Sequence, residues 1–225
     1  MNLVLPGLYA IIDAALATTS ELALAIELAE SGVTLIQYRN KNASSRQLFD
    51  SCRKFSAALA PYGARFIVND RPDIAALTGA GGVHLGQEDL GVEQARTICG
   101  PDCCLGVSTH TLDQVRAADS TSADYIAFGP IFPTRTKQNP DAVVGTDLLR
   151  QVRQTTAKPL VAIGGITLER APEVYAAGAD SLAVISDLIS AASPGARARQ
   201  YLEAATYAKS RKAESGDGSA LSTLE

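Results

Sequence analysis

Eight short apolar runs, each ending in a polar or glycine-bearing cluster and followed by a stretch with helical spacing, leave this chain few ways to fold. Leu8 to Ile12 runs into Asp13, Val33 to Ile36 into Gln37, Arg39 and Lys41, Phe66 to Val68 into Asn69, Asp70 and Arg71, and Val83 to Leu85 into Gln87 and Asp89. Leu105 to Val107 then leads to Ser108, Tyr125 to Phe128 to Gly129, Leu160 to Ile163 to Gly164-Gly165, and Leu182 to Ile185 to Ser186. Strands this apolar are buried on both faces, as parallel strands are when helices cover the sheet. Between them, series such as Leu48, Cys52, Phe55 and Leu59 have the spacing of a helix with one buried stripe.

Punctuation agrees with this reading. Ser20 before Glu21, Ser44 three residues before Gln47, and Thr167 before Arg170 and Pro172 mark helix starts, and Gly32 and Gly178 fall where helices stop before a new strand. Alternating strands and helices in this number predict an α/β chain folded as a single (β/α)8 TIM barrel. An open doubly wound sheet is the competitor, disfavoured by the count of units and by the lack of a G-x-G-x-x-G turn. The chain of 225 residues suits one such barrel, placed at residues 1–206. Residues 207–225, rich in Lys, Arg, Ser and Gly, are expected to form a disordered C-terminal tail, because so polar a segment buries too little surface to offset its ordering entropy.

The formal net charge of −4 speaks against a nucleic-acid partner, and so does the scarcity of stacking aromatics, with no Trp and five Phe. The amino terminus lacks the basic flank and uninterrupted apolar run of a signal peptide, and no segment approaches bilayer length. A cytoplasmic protein with no membrane partner is expected, its four cysteines reduced. A metal site of Cys99, Cys103, Cys104 and His110 is disfavoured because the paired C-x-x-C spacing of zinc sites is missing.

The strand ends carry the chemistry. Barrels of this kind bind ligands where the strands' carboxyl ends meet the following loops. In an acidic chain, Arg39, Lys41, Arg71, Arg135 and Lys137 concentrate there, a focusing that attracts small, highly charged anions. Thr134, Arg135, Thr136 and Lys137 read as an anion-binding loop, whose continuation through Gln138 to Asp141 could act as a lid. Asp70 and Asp89 follow neighbouring strands. Either alone reads as a helix cap, but beside these cations the pair favours one Mg2+ that keeps waters and binds substrate phosphates. Gly164-Gly165 and Ile185-Ser186, after the seventh and eighth strands, suit a phosphate cradled by backbone N–H groups. His84, inside an apolar strand, reads as structural; His110, near a strand end, could touch a ligand. Neither belongs to a hydrolytic triad, which points to charge stabilisation rather than proton transfer.

Six segments together resemble the thiamine-phosphate synthase family: Gln37-Tyr38-Arg39-Asn40-Lys41, Val68 to Arg71, Gly82 to Asp89, Gly106 to His110, Gly129 to Lys137, and Ala162 to Ile166. They span most of the barrel in the family's order. The resemblance implies transfer of a hydroxymethylpyrimidine group from its diphosphate to a thiazole phosphate, giving thiamine phosphate and pyrophosphate by a dissociative, Mg2+-assisted substitution. It implies that Gln37, Tyr38, Arg39, Asn40, Lys41, Asn69, Ser108 and Lys137 hold the pyrimidine diphosphate. Thr134, Arg135, Thr136, Gly165, Ile185 and Ser186 would hold the thiazole phosphate, and Asp70 and Asp89 the Mg2+. Lys137, Arg39, Lys41 and Ser108 would be catalytic. The partners are then these small molecules, whether the protein is a monomer or a homo-oligomer.

One departure stands out: the family usually reads Gly-Ala-Asp-Gly before the last strand, where this chain has Gly178-Ala179-Asp180-Ser181. Ser181 is expected at the buried start of strand eight, away from the mouth. Three rivals remain at the level of sequence. A thiazole tautomerase would not need Lys41, Lys137 and the paired aspartates; a Schiff-base aldolase would use a strand-end lysine and be trapped by borohydride; a phosphate-binding protein would bind without turnover.

Overall fold

A computed structural model describes residues 3–134, 136 and 142–216. Its centre is a closed barrel of β1 (Leu8–Asp13), β2 (Leu35–Arg39), β3 (Arg65–Asn69), β4 (Gly82–Leu85), β5 (Cys104–Thr109), β6 (Tyr125–Phe128), β7 (Leu160–Ile163) and β8 (Ser181–Val184). Each strand is parallel to the next, and β8 returns to β1 through Leu8–Leu182 and Ala10–Val184 pairs. Around it lie α1 (Glu21–Glu30), α2 (Ser45–Leu59), α3 (Pro72–Thr78), α4 (Val92–Cys99), α5 (Leu112–Asp119), α6 (Gly145–Thr155), α7 (Ala171–Ala176), α8 (Ser186–Ile189) and α9 (Pro194–Gly216). The expected (β/α)8 barrel is present. Among the described residues no helix is long and apolar enough to cross a membrane.

Alternation along each strand divides the apolar residues into two cores. Leu8, Ala10 and Ile12 of β1, Ile36 and Tyr38 of β2, and Leu105 and Val107 of β5 face outward, joining helix residues such as Leu28, Leu48 and Phe55. Tyr9, Ile11, Leu35, Ile67, Tyr125, Val161 and Ala183 face the barrel interior. The outer layer is the larger, and at about 1.5–3 kcal/mol for each fully buried aliphatic or aromatic side chain it dominates the stabilisation. Inside, Gly106 makes room for the Tyr125 ring: a Cβ at that glycine would lie 1.9 Å from Cζ of Tyr125.

Helix starts and stops follow local chemistry. Ser44 and Gln47 form a capping box on α2, and Ser20 accepts from the N–H of Ala23 to cap α1. Thr167 makes no side-chain cap; a short 3-10 turn at Leu168–Arg170 leads into α7 instead. Gly32 and Gly178 adopt φ of 94° and 107° after their helices, in the left-handed region where glycine is favoured.

At the end of the barrel opposite the loops that follow the strands, arginines brace the strand entries. Arg96 of α4 pairs with Asp124 at 2.7 Å while the same carboxylate accepts from the N–H of Leu105. Arg153 of α6 repeats the arrangement with Asp180 and the N–H of Leu160. Ser181, next to Asp180, is fully buried at the start of β8 as expected, and its hydroxyl has no hydrogen-bond partner among the described residues.

Two boundaries differ from the sequence reading. The second strand runs from Leu35 to Arg39 rather than from Val33 to Ile36, because its ladder with β1 continues through Tyr38 and Arg39 opposite Ile12 and Asp13. Residues 207–216, expected to be tail, extend α9. Ala198, Tyr201 and Ala205 seat that helix on the barrel, and a run of residues with good helix propensity prolongs it, Tyr207 being 65% exposed. Residues 217–225 lie outside the described residues.

The seating of Tyr125 can be tested through Gly106. Gly106→Ala should lower the unfolding free energy by about 3 kcal/mol through overpacking, measured by urea denaturation; a wild-type midpoint would mean that the ring does not occupy that space.

Candidate active site

Because β1 to β8 all point the same way, their last inward residues meet at one mouth. Gln37 and Arg39 of β2, Asn69 of β3, His84 of β4 and Ser108 of β5 line one cavity there. Its opposite wall is built from Thr134, Thr136, Gly164, Gly165, Ile185 and Ser186.

The floor is a chain of buried polar groups. Gln37 Nε2 donates to the Tyr9 hydroxyl at 2.6 Å, Tyr9 and Tyr125 share a hydrogen bond at 3.0 Å, Tyr125 meets His84 Nδ1 at 3.0 Å, and His84 Nε2 meets Ser108 Oγ at 2.8 Å. Burial pushes both tyrosine pKa values up from their ordinary range, so both hydroxyls keep their protons. Beside this chain, His110 Nδ1 lies 2.6 Å from the carbonyl of Gly129. A carbonyl only accepts, so Nδ1 carries a proton.

On the near wall, charges come in pairs. Arg39 is bonded to the buried Asp13, which also accepts from the N–H of Ala15. Lys41 lies 3.0 Å from Asp70, with side-chain exposures of 56% and 20%. Asp70 sits at the turn after β3 with φ of 63°, its N–H bonded to the carbonyl of His84. The Asp89 carboxylate accepts from the N–H of Gly86 at 2.6 Å. Its pKa is raised above the usual carboxylate range, first by burial and then by the neighbouring Asp70 carboxylate, against the pull of the Gly86 N–H. The turn after β3 and the loop after β4 thus aim two carboxylates at one point, where they could serve a divalent cation as two oxygen ligands.

The far wall depends on close backbone approach. A Cβ on Gly165, whose φ is 62°, would lie 2.5 Å from the carbonyl oxygen of Pro133 and 2.9 Å from Cβ of Phe132. Gly164 is pressed as tightly against Pro130. Arg170 donates to the carbonyl of Gly165 and stacks over the Phe132 ring, 4.5 Å from its centroid. The N–H of Thr136 points to the Thr134 hydroxyl, so the two threonines form a compact turn on the same wall as Gly165 and Ser186.

The sequence-predicted residues divide accordingly. Gln37, Arg39, Asn69, Ser108, Thr134, Thr136, Gly165, Ile185 and Ser186 come together on the cavity; Lys41, Asp70 and Asp89 are not among its lining residues but cluster with one another, Asp70 directly following the lining Asn69. Tyr38 does not join them: strand alternation turns its side chain outward, stacked on Phe55 and bonded to Glu21. Asn40 braces its own loop, accepting from the N–H groups of Asn42 and Ala43 and donating to the Tyr38 hydroxyl. Arg71, part of the expected cationic mouth, is held by Asp73 at 2.6 Å. Arg135, Lys137 and the lid segment from Gln138 to Asp141 lie outside the described residues. Tyr9, His84, Tyr125 and Asp13 were not among the predicted site residues. Their signal is parity, since Tyr9 and Asp13 share a strand face and His84 lies between outward-facing Val83 and Leu85.

Comparison with known proteins bears on what this mouth does. Residues 8–188 match the family model described as Thiamine monophosphate synthase. The chain is 49% identical to the thiamine-phosphate synthase of Koribacter versatilis over 209 residues, covering 90% of this chain and 97% of that protein. It is 40% identical over 198 residues to the protein of the same name from Methanospirillum hungatei, covering 88% and 96%. The solved thiamine phosphate pyrophosphorylase of Pyrococcus furiosus superposes with a TM-score of 0.81 at 32% identity, covering 90% of this chain and 96% of that one.

The tight contact at Gly165 generates a paired experiment. Gly63 has nearly the same φ, 64°, but open space around its missing Cβ. Gly63→Ala should therefore cost about 1 kcal/mol for left-handed backbone alone, while Gly165→Ala should cost that plus a further 1–3 kcal/mol of overpacking. Urea denaturation of both variants gives the difference, and equal losses would mean that the Phe132–Pro133 backbone does not press on Gly165.

Proposed function

This chain belongs to the thiamine monophosphate synthase family, and from that membership and the geometry of the mouth we infer that it is a transferase joining an aminopyrimidine diphosphate to a thiazole phosphate, with release of pyrophosphate. The observation that carries the reading is one cavity with two unlike walls. Arg39, Asn69, His84 and Ser108 stand on one side, next to the Lys41–Asp70 pair that follows the strand ends, and a glycine- and hydroxyl-lined cradle stands on the other.

In this reading the diphosphate lies by Arg39 and Lys41, with Asn69 and Ser108 beside the pyrimidine. The thiazole phosphate lies against Gly165, Ile185, Ser186, Thr134 and Thr136. Lys137 and Arg135, which lie outside the described residues, are assigned the remaining anion contacts by the family resemblance alone. The bond from the pyrimidine CH2 to the diphosphate oxygen breaks with its electron pair leaving on pyrophosphate. The electron-rich ring stabilises the developing cation, and the thiazole nitrogen donates its own lone pair to form the new C–N bond. No proton has to be removed from that nitrogen, which agrees with a mouth built of charge donors.

Asp70 and Asp89 are suited to Mg2+: two carboxylates close enough to raise the pKa of one are relieved by a divalent cation, and Mg2+ is commonly held by one or two carboxylates plus substrate phosphates. When bound it would neutralise charge on the departing diphosphate. Lys41 is half-exposed and paired with Asp70, unlike the desolvated amine that Schiff-base chemistry needs. The proposal includes a cytoplasmic setting, which suits the free thiols of Cys52, Cys99, Cys103 and Cys104.

The deciding assay supplies both substrates with Mg2+ and follows thiamine phosphate and pyrophosphate together; equal amounts of each are expected, and binding without turnover would overturn the function. Asp70→Asn and Asp89→Asn should each lower turnover at limiting Mg2+ by at least about a hundredfold, given the several kcal/mol a metal contributes to charge stabilisation. Lys137→Ala should lower kcat by about a hundredfold or more, as for loss of a preorganised charge donor, with a smaller change in KM for the diphosphate.

The pH dependence of cation binding follows from Asp89. Its folded pKa is raised, so without a cation it contributes stability at low pH that is lost as pH rises through the raised value. A cation replaces the proton there. Mg2+ should therefore raise the melting temperature more at neutral than at mildly acid pH, and Asp89→Asn should abolish that difference.

A further inference from the structure

The buried chain from Gln37 to Ser108 has a direction, and the direction reaches the cavity at both ends. Gln37 Nε2 donates to the Tyr9 oxygen. Tyr9 has one proton of its own, and the Tyr125 oxygen is 3.0 Å away to accept it. Tyr125 then has its own proton to give, and in this orientation of the chain His84 Nδ1, 3.0 Å away, accepts it. A neutral imidazole that accepts at Nδ1 carries its proton on Nε2, and Nε2 donates to Ser108 Oγ. Ser108, having accepted, has its own proton left, and Gln37, having donated inward, has its carbonyl oxygen left; both residues line the same cavity.

The two ends are therefore coupled. Turning the Gln37 amide around would make it accept from Tyr9, reverse every bond along the chain, move the His84 proton to Nδ1, and leave Ser108 presenting a lone pair. Within the chain as oriented, no buried proton lacks an acceptor, and burial keeps both tyrosines protonated.

We propose that Tyr9, Tyr125 and His84 are positioning residues that fix Gln37 as an acceptor and Ser108 as a donor, so that the cavity selects a 4-aminopyrimidine over its 4-oxo counterpart. The inference rests on the function proposed above and names the feature of the pyrimidine that the site reads. An amino group beside a ring nitrogen presents one donor and one acceptor, complementary to the Gln37 carbonyl and the Ser108 hydroxyl. The 4-oxo ring presents the reverse pair, a carbonyl oxygen beside a ring N–H; it meets like against like at the Gln37 carbonyl and offers the Ser108 proton no ring-nitrogen acceptor. A site that leaves buried polar groups unmatched rejects such an analogue strongly.

Two measurements test this. The first reads the His84 tautomer on the wild-type protein alone, by nitrogen-15 NMR of histidine-labelled chain. There are two histidines, so His110→Gln assigns the signals. Protonation of His84 at Nε2 with Nδ1 bare is expected near neutral pH; a proton on Nδ1 overturns the relay whatever the protein's activity. The second compares calorimetric affinities for the 4-amino and 4-oxo pyrimidine diphosphates in wild type, Tyr9→Phe and Tyr125→Phe, which remove one oxygen each and keep the ring.

The preference for the amino compound should fall by about tenfold or more in each variant, the scale of one lost buried hydrogen bond, while affinity for the thiazole phosphate stays unchanged. An unchanged preference beside a tight-binding wild type overturns the relay and leaves the function standing. Equal loss of affinity for all three ligands assigns the tyrosines a structural role only and likewise overturns it. A wild type that binds neither pyrimidine overturns the functional reading itself, with its substrate selectivity.

Discussion

Closure of the parallel sheet is the constraint from which the rest of this molecule follows. Once β8 pairs with β1, no strand can slip by one residue without turning its whole inward set outward, and each side chain's fate is decided by whether its position is odd or even along its strand. Gln37 and Arg39 face the cavity while Tyr38 between them faces helix α2. The same parity puts Tyr9 and Tyr125 in the interior, where the missing side chain of Gly106 lets the second ring lie across its strand.

An interior that holds Gln37, Tyr9, Tyr125, His84 and Ser108 bears a desolvation cost that an aliphatic one would not. What offsets it is that each group in the chain meets the next at hydrogen-bonding distance, and satisfied chains in a low-dielectric interior reinforce one another. Ser181 shows the contrast. Its buried hydroxyl has no partner among the described residues, and it sits at the start of β8, away from the mouth, where it costs some stability and touches no chemistry.

The two ends of the barrel use charge differently. At the strand entries Arg96 and Arg153 each tie a helix to the carboxylate and N–H of neighbouring strands, with good geometry and no role for a ligand. At the mouth the pairs are incomplete by design of position: Lys41 is half-exposed beside Asp70, and Asp89 is pressed toward its protonated form by burial and then by the same neighbour. Groups poised in this way respond to an incoming anion or cation, whereas the braces at the other end do not.

Periodicity and punctuation in the sequence were enough to count the strands, predict closure as a (β/α)8 barrel and collect most of the mouth, because apolar runs, caps and strand-end clusters are local features. The family motifs added the identity of the reaction. What the sequence alone could not decide was direction and pairing: that Tyr38 and Asn40 turn to structural duty, that Arg39 is shared with Asp13, that the last helix continues to Gly216, and that His84, which looked merely structural, links two buried tyrosines to Ser108. Those outcomes depend on strand register and on contacts between residues as far apart as Tyr9 and Tyr125. No local pattern encodes such contacts, because they exist only once the sheet has closed and brought its inward faces together.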